Sequence, residues 1–290
     1  MISADKSNLD LVRLKAQTLV ESAPWIRKFQ GQILVIKFGG NAMVDDGLQQ
    51  AFAEDIAYLQ LVGIKPVVVH GGGPQISAKL SAAGIESKFV DGLRVTTPEA
   101  IGLIRDVLRD EISVPLAKMI EDSGAKTQVL NGESEGLFTA SITREDLGLV
   151  GEVTSINVSV INKAIAQDLV PVISTVGPDN TGQLLNVNAD LAASSLAVAL
   201  GAAKLVMLTD VAGLYSDWPN KDSLVSEITL GELEDLLPDL ESGMIPKMSA
   251  CSEAVDGGVP QAHIIDGRIP HSVLLEIFTP SGIGTLVIPN

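Results

Sequence analysis

The segment Ile33-Leu34-Val35-Ile36-Lys37-Phe38-Gly39-Gly40-Asn41 constrains the fold of this chain more than any other. Four consecutive aliphatic residues, three of them β-branched, read as a strand buried on both faces, the pattern of a parallel sheet covered by helices on each side. The strand delivers Lys37 and then Gly39 and Gly40 at its carboxyl end, setting a cation beside open backbone, an arrangement suited to phosphate. The alternative is a core strand followed by an ordinary turn, and a short glycine motif alone does not separate the two.

The same unit recurs. A helical pattern over 46–62 leads to a second apolar run, 65–70, which ends in Gly71-Gly72-Gly73-Pro74 and a helix over 75–83. In open parallel sheets ligands bind at the carboxyl ends of strands, so the two glycine loops can face one ligand. Residues 88–96 read as a short extended turn around Asp91-Gly92, and Thr97-Pro98 opens a helical region reaching Asp122. Strands are predicted over 126–130, 169–174 and 183–187, hairpin-like strands over 136–157, and helices over 157–167 and 189–200. After Gly201 a new series starts: strands over 204–208, 261–265 and 284–288, helices near 230–237, 244–255 and 271–277, and a turn-rich loop over 209–221. The expected fold is α/β, a three-layer α-β-α sandwich around a mostly parallel open sheet in two lobes. Its expected parts are an N-terminal interaction helix in 1–30, one lobe over 31–201 and a second over 202–290.

Residues 9–29 carry apolar side chains at helical spacing, with Pro24 where a helix is expected to kink or restart. Leu11, Leu14, Trp25 and Phe29 have no evident surface within the domain to cover, so packing on a second subunit and folding back on the same domain both stand.

Twenty basic residues against 36 acidic ones give a net charge of −16, which opposes nonspecific binding to nucleic acid or anionic membrane. An anionic substrate therefore needs local positive charge, and the few well-placed cations become informative. The single Cys251 excludes an internal disulfide framework and lies in an apolar helical pattern, as buried filler does. Residues 1–17 lack the apolar core of a signal peptide, and no window is long and apolar enough to span a bilayer, so a cytoplasmic protein is expected.

Three consecutive glycines, 71–73, fit a backbone that must approach an anion, but neither loop matches the Walker pattern or the dinucleotide fingerprint. Arg94 can grip a carboxylate through two parallel hydrogen bonds, or be a surface ion pair of little value. Asn186, Asn188 and Asp190 alternate along an extended run and are expected on one side, although Asn188 can instead cap the following helix with Asp190 in its first turn. Lys247 falls in the first turn of a helix, where a cation opposes the macrodipole and a phosphate is favoured. Thr209-Asp210 ends the first strand of the second lobe, a usual place for a nucleotide contact. His70, His263 and His271 share no metal-ligand spacing, and His70 reads as packed.

Taken together, these stretches resemble the amino acid kinase family: residues 35–42, 68–75, 91–96, 186–190, 208–213, 243–247 and 272–286 match its motifs in order. The resemblance implies transfer of the ATP γ-phosphoryl group to the side-chain carboxylate of N-acetyl-L-glutamate, a step of arginine biosynthesis. Lys37 and Lys247 would stabilise the phosphoryl oxygens and Asp190 would orient both lysines. Gly40, Gly72 and Gly73 would donate backbone N–H groups, while Arg94, Asn186 and Asn188 would hold the acyl amino acid. Gly39, Gly40, Thr209 and Asp210 would contact the nucleotide, with Mg2+ carried on ATP. The lobe over 31–201 would then hold the acyl amino acid and that over 202–290 the nucleotide. The helix over 9–29 resembles that of arginine-inhibited members, which form hexamers as trimers of dimers, and Glu276, Gly282 and Gly284 resemble their effector site. Ser242 and the loop 131–136 depart from the family pattern. A non-catalytic sensor on this fold and a dinucleotide-dependent dehydrogenase are the other classes, the latter disfavoured by its missing fingerprint.

Overall fold

A computed structural model describes residues 9–241, 243–280 and 282–290; the first eight residues, Ser242 and Ser281 lie outside the described residues, so the readings made on them have no structural counterpart. In chain order the elements are α1 (Leu9–Phe29), β1 (Ile33–Phe38), α2 (Asp46–Leu61), β2 (Lys65–His70), α3 (Gly73–Ala82), β3 (Phe89–Val90), β4 (Leu93–Arg94) and α4 (Pro98–Asp106). There follow α5 (Val114–Asp122), β5 (Thr127–Leu130), β6 (Phe138–Ile142), β7 (Val150–Ile156), α6 (Val158–Ala166), β8 (Val170–Ser174), β9 (Val176–Pro178), β10 (Leu184–Val187) and α7 (Ala189–Ala199). The last third contains β11 (Lys204–Thr209), β12 (Leu214–Tyr215), β13 (Leu224–Val225), β14 (Glu227–Thr229), α8 (Leu230–Leu236), α9 (Ile245–Asp256), β15 (Ala262–Asp266), α10 (Ser272–Phe278) and β16 (Thr285–Ile288).

One eight-stranded sheet runs through the molecule in the order β14-β16-β15-β11-β1-β2-β8-β5, parallel throughout except where β16 lies antiparallel to β15. β1 has β2 on one side and β11 on the other, so the chain reverses its direction of travel across the sheet at β1 and leaves a crevice beyond the carboxyl ends of β1 and β11. Alternation along β1 divides the core: Leu34, Ile36 and Phe38 pack into one apolar cluster with α2, α4 and α5, while Val35 packs into the other with α7 and α9. Period two then fixes where Lys37 points, on the same side as Val35, toward α7 and α9. A second sheet, β6-β7-β10-β9, stands beside the first.

Several local expectations need correction. α1 passes through Pro24 as one helix; Pro24 and Val20 are exposed, so water can satisfy the carbonyl that the proline leaves without its N–H partner. Trp25 and Phe29 do have a surface to cover, for Phe29 is buried in the main core and Trp25 packs against it, whereas Leu11 and Leu14 are exposed. α3 begins at Gly73 rather than Gln75, with Pro74 in its first turn. The helical region after Pro98 contains a π-helical turn, Val107–Ser113, between α4 and α5.

That turn braces the end of β2. The His70 ring is fully buried, and its Nδ1 lies 2.9 Å from the Gly71 carbonyl, which can only accept, so Nδ1 carries the proton. Nε2 lies 2.6 Å from Ser113 Oγ, whose one hydroxyl proton is shared between Nε2 and the Leu108 carbonyl at 2.9 Å. Burial, with Lys37 nearby, pushes His70 down to about 4 from 6.5, so the ring is neutral at physiological pH. The unfolded chain binds the proton more readily, and stability present above pH 6.5 is therefore lost as pH falls toward 4, by about 3 kcal/mol at the limit. His70→Gln is expected to flatten that slope relative to the parent protein, read from urea midpoints at pH values spanning the window.

Candidate active site

β1 ends at the switch point and presents Lys37, only 6% exposed, to the face covered by α7 and α9. The first turn of α7 supplies Asp190 and the first turn of α9 supplies Lys247. Asp190 Oδ1 lies 2.8 Å from Lys37 Nζ and Oδ2 lies 3.0 Å from Lys247 Nζ, so one carboxylate bridges two ammonium groups that are remote in sequence. Burial disfavours the charge on Asp190, but the two lysines outweigh it and hold the carboxyl well below the usual carboxylate range. Burial pulls Lys37 below the ordinary lysine value, Lys247 adds to that fall, and Asp190 opposes it. A Cβ on Gly39 would run into Lys37 Nζ, so glycine there leaves room for the ammonium group.

The first cavity, of about 270 Å³, opens on one side of this bridge and is lined by Lys247 with Thr209, Asp210, Gly213, Tyr215 and Trp218. Asp210 ties it to the first glycine loop, its Oδ1 accepting from the Asn41 N–H at 2.5 Å. A second cavity, of about 160 Å³, is lined by Gly71, Gly72, Gly73, Arg94, Asn186, Asn188 and Ala189, the last being the neighbour of Asp190. A Cβ on Gly72 would meet the ends of the Ile112 and Leu108 side chains of the π-helical turn, so glycine leaves room for them. Arg94 is buried, with Nη2 donating to the Gly73 carbonyl and to Ser77 Oγ, both at 2.9 Å, and Nη1 donating to Ser87 Oγ. Asn186 Nδ2 donates to Thr96 Oγ1 at 3.1 Å, which in turn donates to the Arg94 carbonyl.

Of the two readings of residues 186–190, the helix cap holds and the single extended run does not. β10 stops at Val187, and Asn188 caps α7, its Oδ1 accepting from the N–H groups of Asp190 and Leu191. The helix, and not alternation along a strand, turns Asp190 toward the lysines. Glu276, Gly282 and Gly284 lie apart from the bridge, in a third cavity of about 230 Å³ lined also by Trp25, Lys28, Lys204 and His263. There His263 Nδ1 sits 2.5 Å from Glu276 Oε1, and burial pushes Lys204 down to about 8. Cys251 is buried and burial pushes its thiol up, so it is packing.

Sequence reasoning missed Ser77, Ser87 and Thr96, which orient Arg94, and Tyr215, Trp218, Trp25 and Lys204, which line cavities. A usable signal existed for the tryptophans: the chain has two, one shortly before Arg27-Lys28 and one in a polar loop, and both line cavities. No comparable signal marks individual serines.

The bridge makes a quantitative demand. Replacing Asp190 by alanine leaves two ammonium groups facing each other without the carboxylate that bridges them, and we expect a loss of about 3 kcal/mol in unfolding free energy, as for other broken buried pairs. Asp190→Asn should lose less stability while still failing to hold both lysines; urea titration of the two variants checks the order.

The sequence pattern of the amino acid kinase family matches residues 32–266, more than half of the chain. Among curated relatives, an acetylglutamate kinase of Bifidobacterium longum subsp. infantis is 55% identical over 285 residues, covering 95% of this chain and 93% of its own. Another acetylglutamate kinase, from Leifsonia xyli subsp. xyli, is 57% identical over 284 residues, covering 95% and 94%. The structure of N-acetylglutamate synthase from Neisseria gonorrhoeae, complexed with coenzyme A and N-acetyl-glutamate, superposes with a TM-score of 0.84 at 25% identity, covering 95% of this chain and 63% of that one. Carbamate kinase from Giardia lamblia bound to AMP-PNP shares the fold, with a TM-score of 0.67 at 21% identity and coverage of 93% and 100%. Agreement in sequence pattern over most of the chain, in close relatives over nearly all of it and in fold assigns this protein to the amino acid kinase family.

Proposed function

We propose that this protein transfers the γ-phosphoryl group of ATP to the side-chain carboxylate of N-acetyl-L-glutamate, forming an acyl phosphate and ADP in the second step of arginine biosynthesis. The observation that carries the reading is the Lys37–Asp190–Lys247 bridge set between two cavities. The acetylglutamate kinase relatives support the choice of substrate. In the reaction a carboxylate oxygen attacks the γ-phosphorus, the bond from phosphorus to the β,γ-bridging oxygen breaks, and ADP leaves with that oxygen. Lys37 and Lys247 neutralise the charge spread over the phosphoryl oxygens, and Asp190 keeps both ammonium groups aimed. Gly40, Gly72 and Gly73 turn backbone N–H groups to the phosphoryl group and the acceptor carboxylate.

The lobe over 31–201 binds the acyl amino acid, with Arg94 on a carboxylate and Asn186 at the acetamido end or the α-carboxylate; Asn188 serves by capping α7. The lobe over 202–290 binds the nucleotide, with Thr209, Asp210 and Lys247 in the larger of these two cavities and Gly39 and Gly40 at the phosphates. Mg2+ carried with ATP would supply further charge neutralisation on the phosphates. Asp210, beside the first glycine loop, is one carboxylate in the lining of the nucleotide cavity that would hold it, and Glu241 is another. A cytoplasmic location accords with the absence, among the described residues, of a helix long and apolar enough to cross a membrane.

Arginine is the proposed effector of the third cavity, where the Glu276 carboxylate and the Trp25 face can meet a guanidinium group. The exposed Leu14, Leu19 and Val20 of α1 favour association with another subunit, as in a hexamer built from dimers.

Purified protein with ATP and Mg2+ is expected to form a hydroxylamine-trappable acyl phosphate from N-acetyl-L-glutamate, and far faster turnover of glutamate, aspartate or carbamate would overturn the substrate. Lys37→Ala and Lys247→Ala should each lower kcat by about two orders of magnitude or more. A chain shortened to begin at Ala23 keeps Trp25 and Phe29 on the core and should give a smaller assembly by light scattering.

A further inference from the structure

The hairpin of β3 and β4 forms one wall of the Arg94 cavity, through Phe89, Gly92 and Leu93. Its base is fixed by backbone: the Thr96 N–H donates to the Leu147 carbonyl at 2.9 Å and the Leu149 N–H donates to the Thr96 carbonyl at 2.7 Å. Its tip is held by charge. Arg144, in the segment between β6 and β7, donates from Nε and Nη2 to the two oxygens of Asp146 at 3.0 and 2.6 Å. Its remaining Nη1 donates to Asp91 Oδ2 at 2.6 Å, across to the tip of the hairpin.

Two features of this contact fit a task in ligand binding. Exposed ion pairs contribute little to global stability, yet here Asp146 grips the guanidinium through two parallel bonds and aims its free edge at one residue. Asp91 also holds a left-handed backbone, φ 51, a conformation that aspartate and asparagine tolerate better than most residues. Arg94 follows three positions later, with the Phe89 ring 4.6 Å from its guanidinium carbon, so the angle of the hairpin sets where that guanidinium sits.

We propose that Asp91, Arg144 and Asp146 form a latch that positions the β3–β4 hairpin, and with it Arg94, for the acyl amino acid. The proposal rests on the substrate reading above. Arg144 is a positioning residue, and none of the three latch residues lines the Thr209–Asp210 cavity, so nucleotide affinity is independent of it.

The test uses Arg144→Ala and Asp91→Asn, the second of which removes the charge and keeps a residue suited to the left-handed turn. Amide hydrogen exchange over residues 88–95 of the ligand-free protein should accelerate in both variants. The KM for N-acetyl-L-glutamate should rise about two- to fivefold at low salt, with kcat and the KM for ATP unchanged. That rise should shrink in about 1 M salt, where exposed charges are screened. The double variant should be no worse than either single one. Unaccelerated exchange, an equal rise in both KM values, or additive effects in the double variant would each overturn the latch. Should the parent enzyme phosphorylate no acyl amino acid, the substrate reading falls and exchange alone decides on the latch: acceleration upholds it and no change removes it.

Discussion

The Asp190 carboxylate is the constraint on which the rest of the site depends. Two buried or half-buried ammonium groups close together repel strongly in a medium of low dielectric, and a carboxylate with one oxygen for each is the smallest group that removes the conflict. The bridge leaves one net positive charge in a protein whose net charge is −16, so attraction for a phosphate is local and does not extend to polyanions at large. The helices share the work. Asp190 in the first turn of α7 is favoured by that helix's dipole, and Lys247 in the first turn of α9 is disfavoured by its own. The second placement is tolerable because Asp190 is 3.0 Å away.

Lys37 reaches Asp190 only if β1 holds its phase. A slip of one residue would send the lysine into the opposite layer, among the side chains of α2. Phe38 prevents this: its ring stacks on Phe52 of α2 with centroids 4.0 Å apart and planes 14° from parallel. The apolar residue next to the lysine thus anchors one face of the sheet so that the lysine can occupy the other. Register with β2 and β11 on either side then sets its depth.

The strands of the large sheet were legible because burial on both faces leaves continuous apolar runs, and β1, β2, β8, β11 and β15 all lie within a residue or two of where those runs place them. The strands β9, β12, β13 and β14 were not, for two or three residues carry no measurable period. Lys37 and Lys247 could be singled out because a cation at a buried strand end or in a first helical turn is energetically awkward, and awkward placement is visible in sequence. Asn188 was ambiguous for the opposite reason: asparagine before a helix is favourable, and the cap accounts for it. The set of Ser77, Ser87 and Thr96 around Arg94 stayed invisible, since single hydroxyl side chains carry no pattern and only the folded backbone brings the two serines to the guanidinium and Thr96 to the Arg94 carbonyl.

The third cavity stands at the far end of the strands that carry the site. β11 begins at Lys204, which lines that cavity, and ends at Thr209, which lines the Lys247 cavity; six residues of strand separate them by about 17 Å. Between the two ends Leu205, Val206, Met207 and Leu208 are almost wholly buried, in a core too closely packed to flex residue by residue. A ligand bound beside Lys204 would therefore act by one of two physical routes. It can shift β11 and β15 as rigid bodies against β1, or it can change how α1, through Trp25 and Lys28, seats on the sheet. The second route acts on a helix whose first half is exposed and whose last residue, Phe29, is locked into the core, so a small tilt at the cavity becomes a large displacement at Leu11 and Leu14. On this second route the displacement would be carried outward along α1, while the Asp190 bridge stays under the packing of α7 on β1.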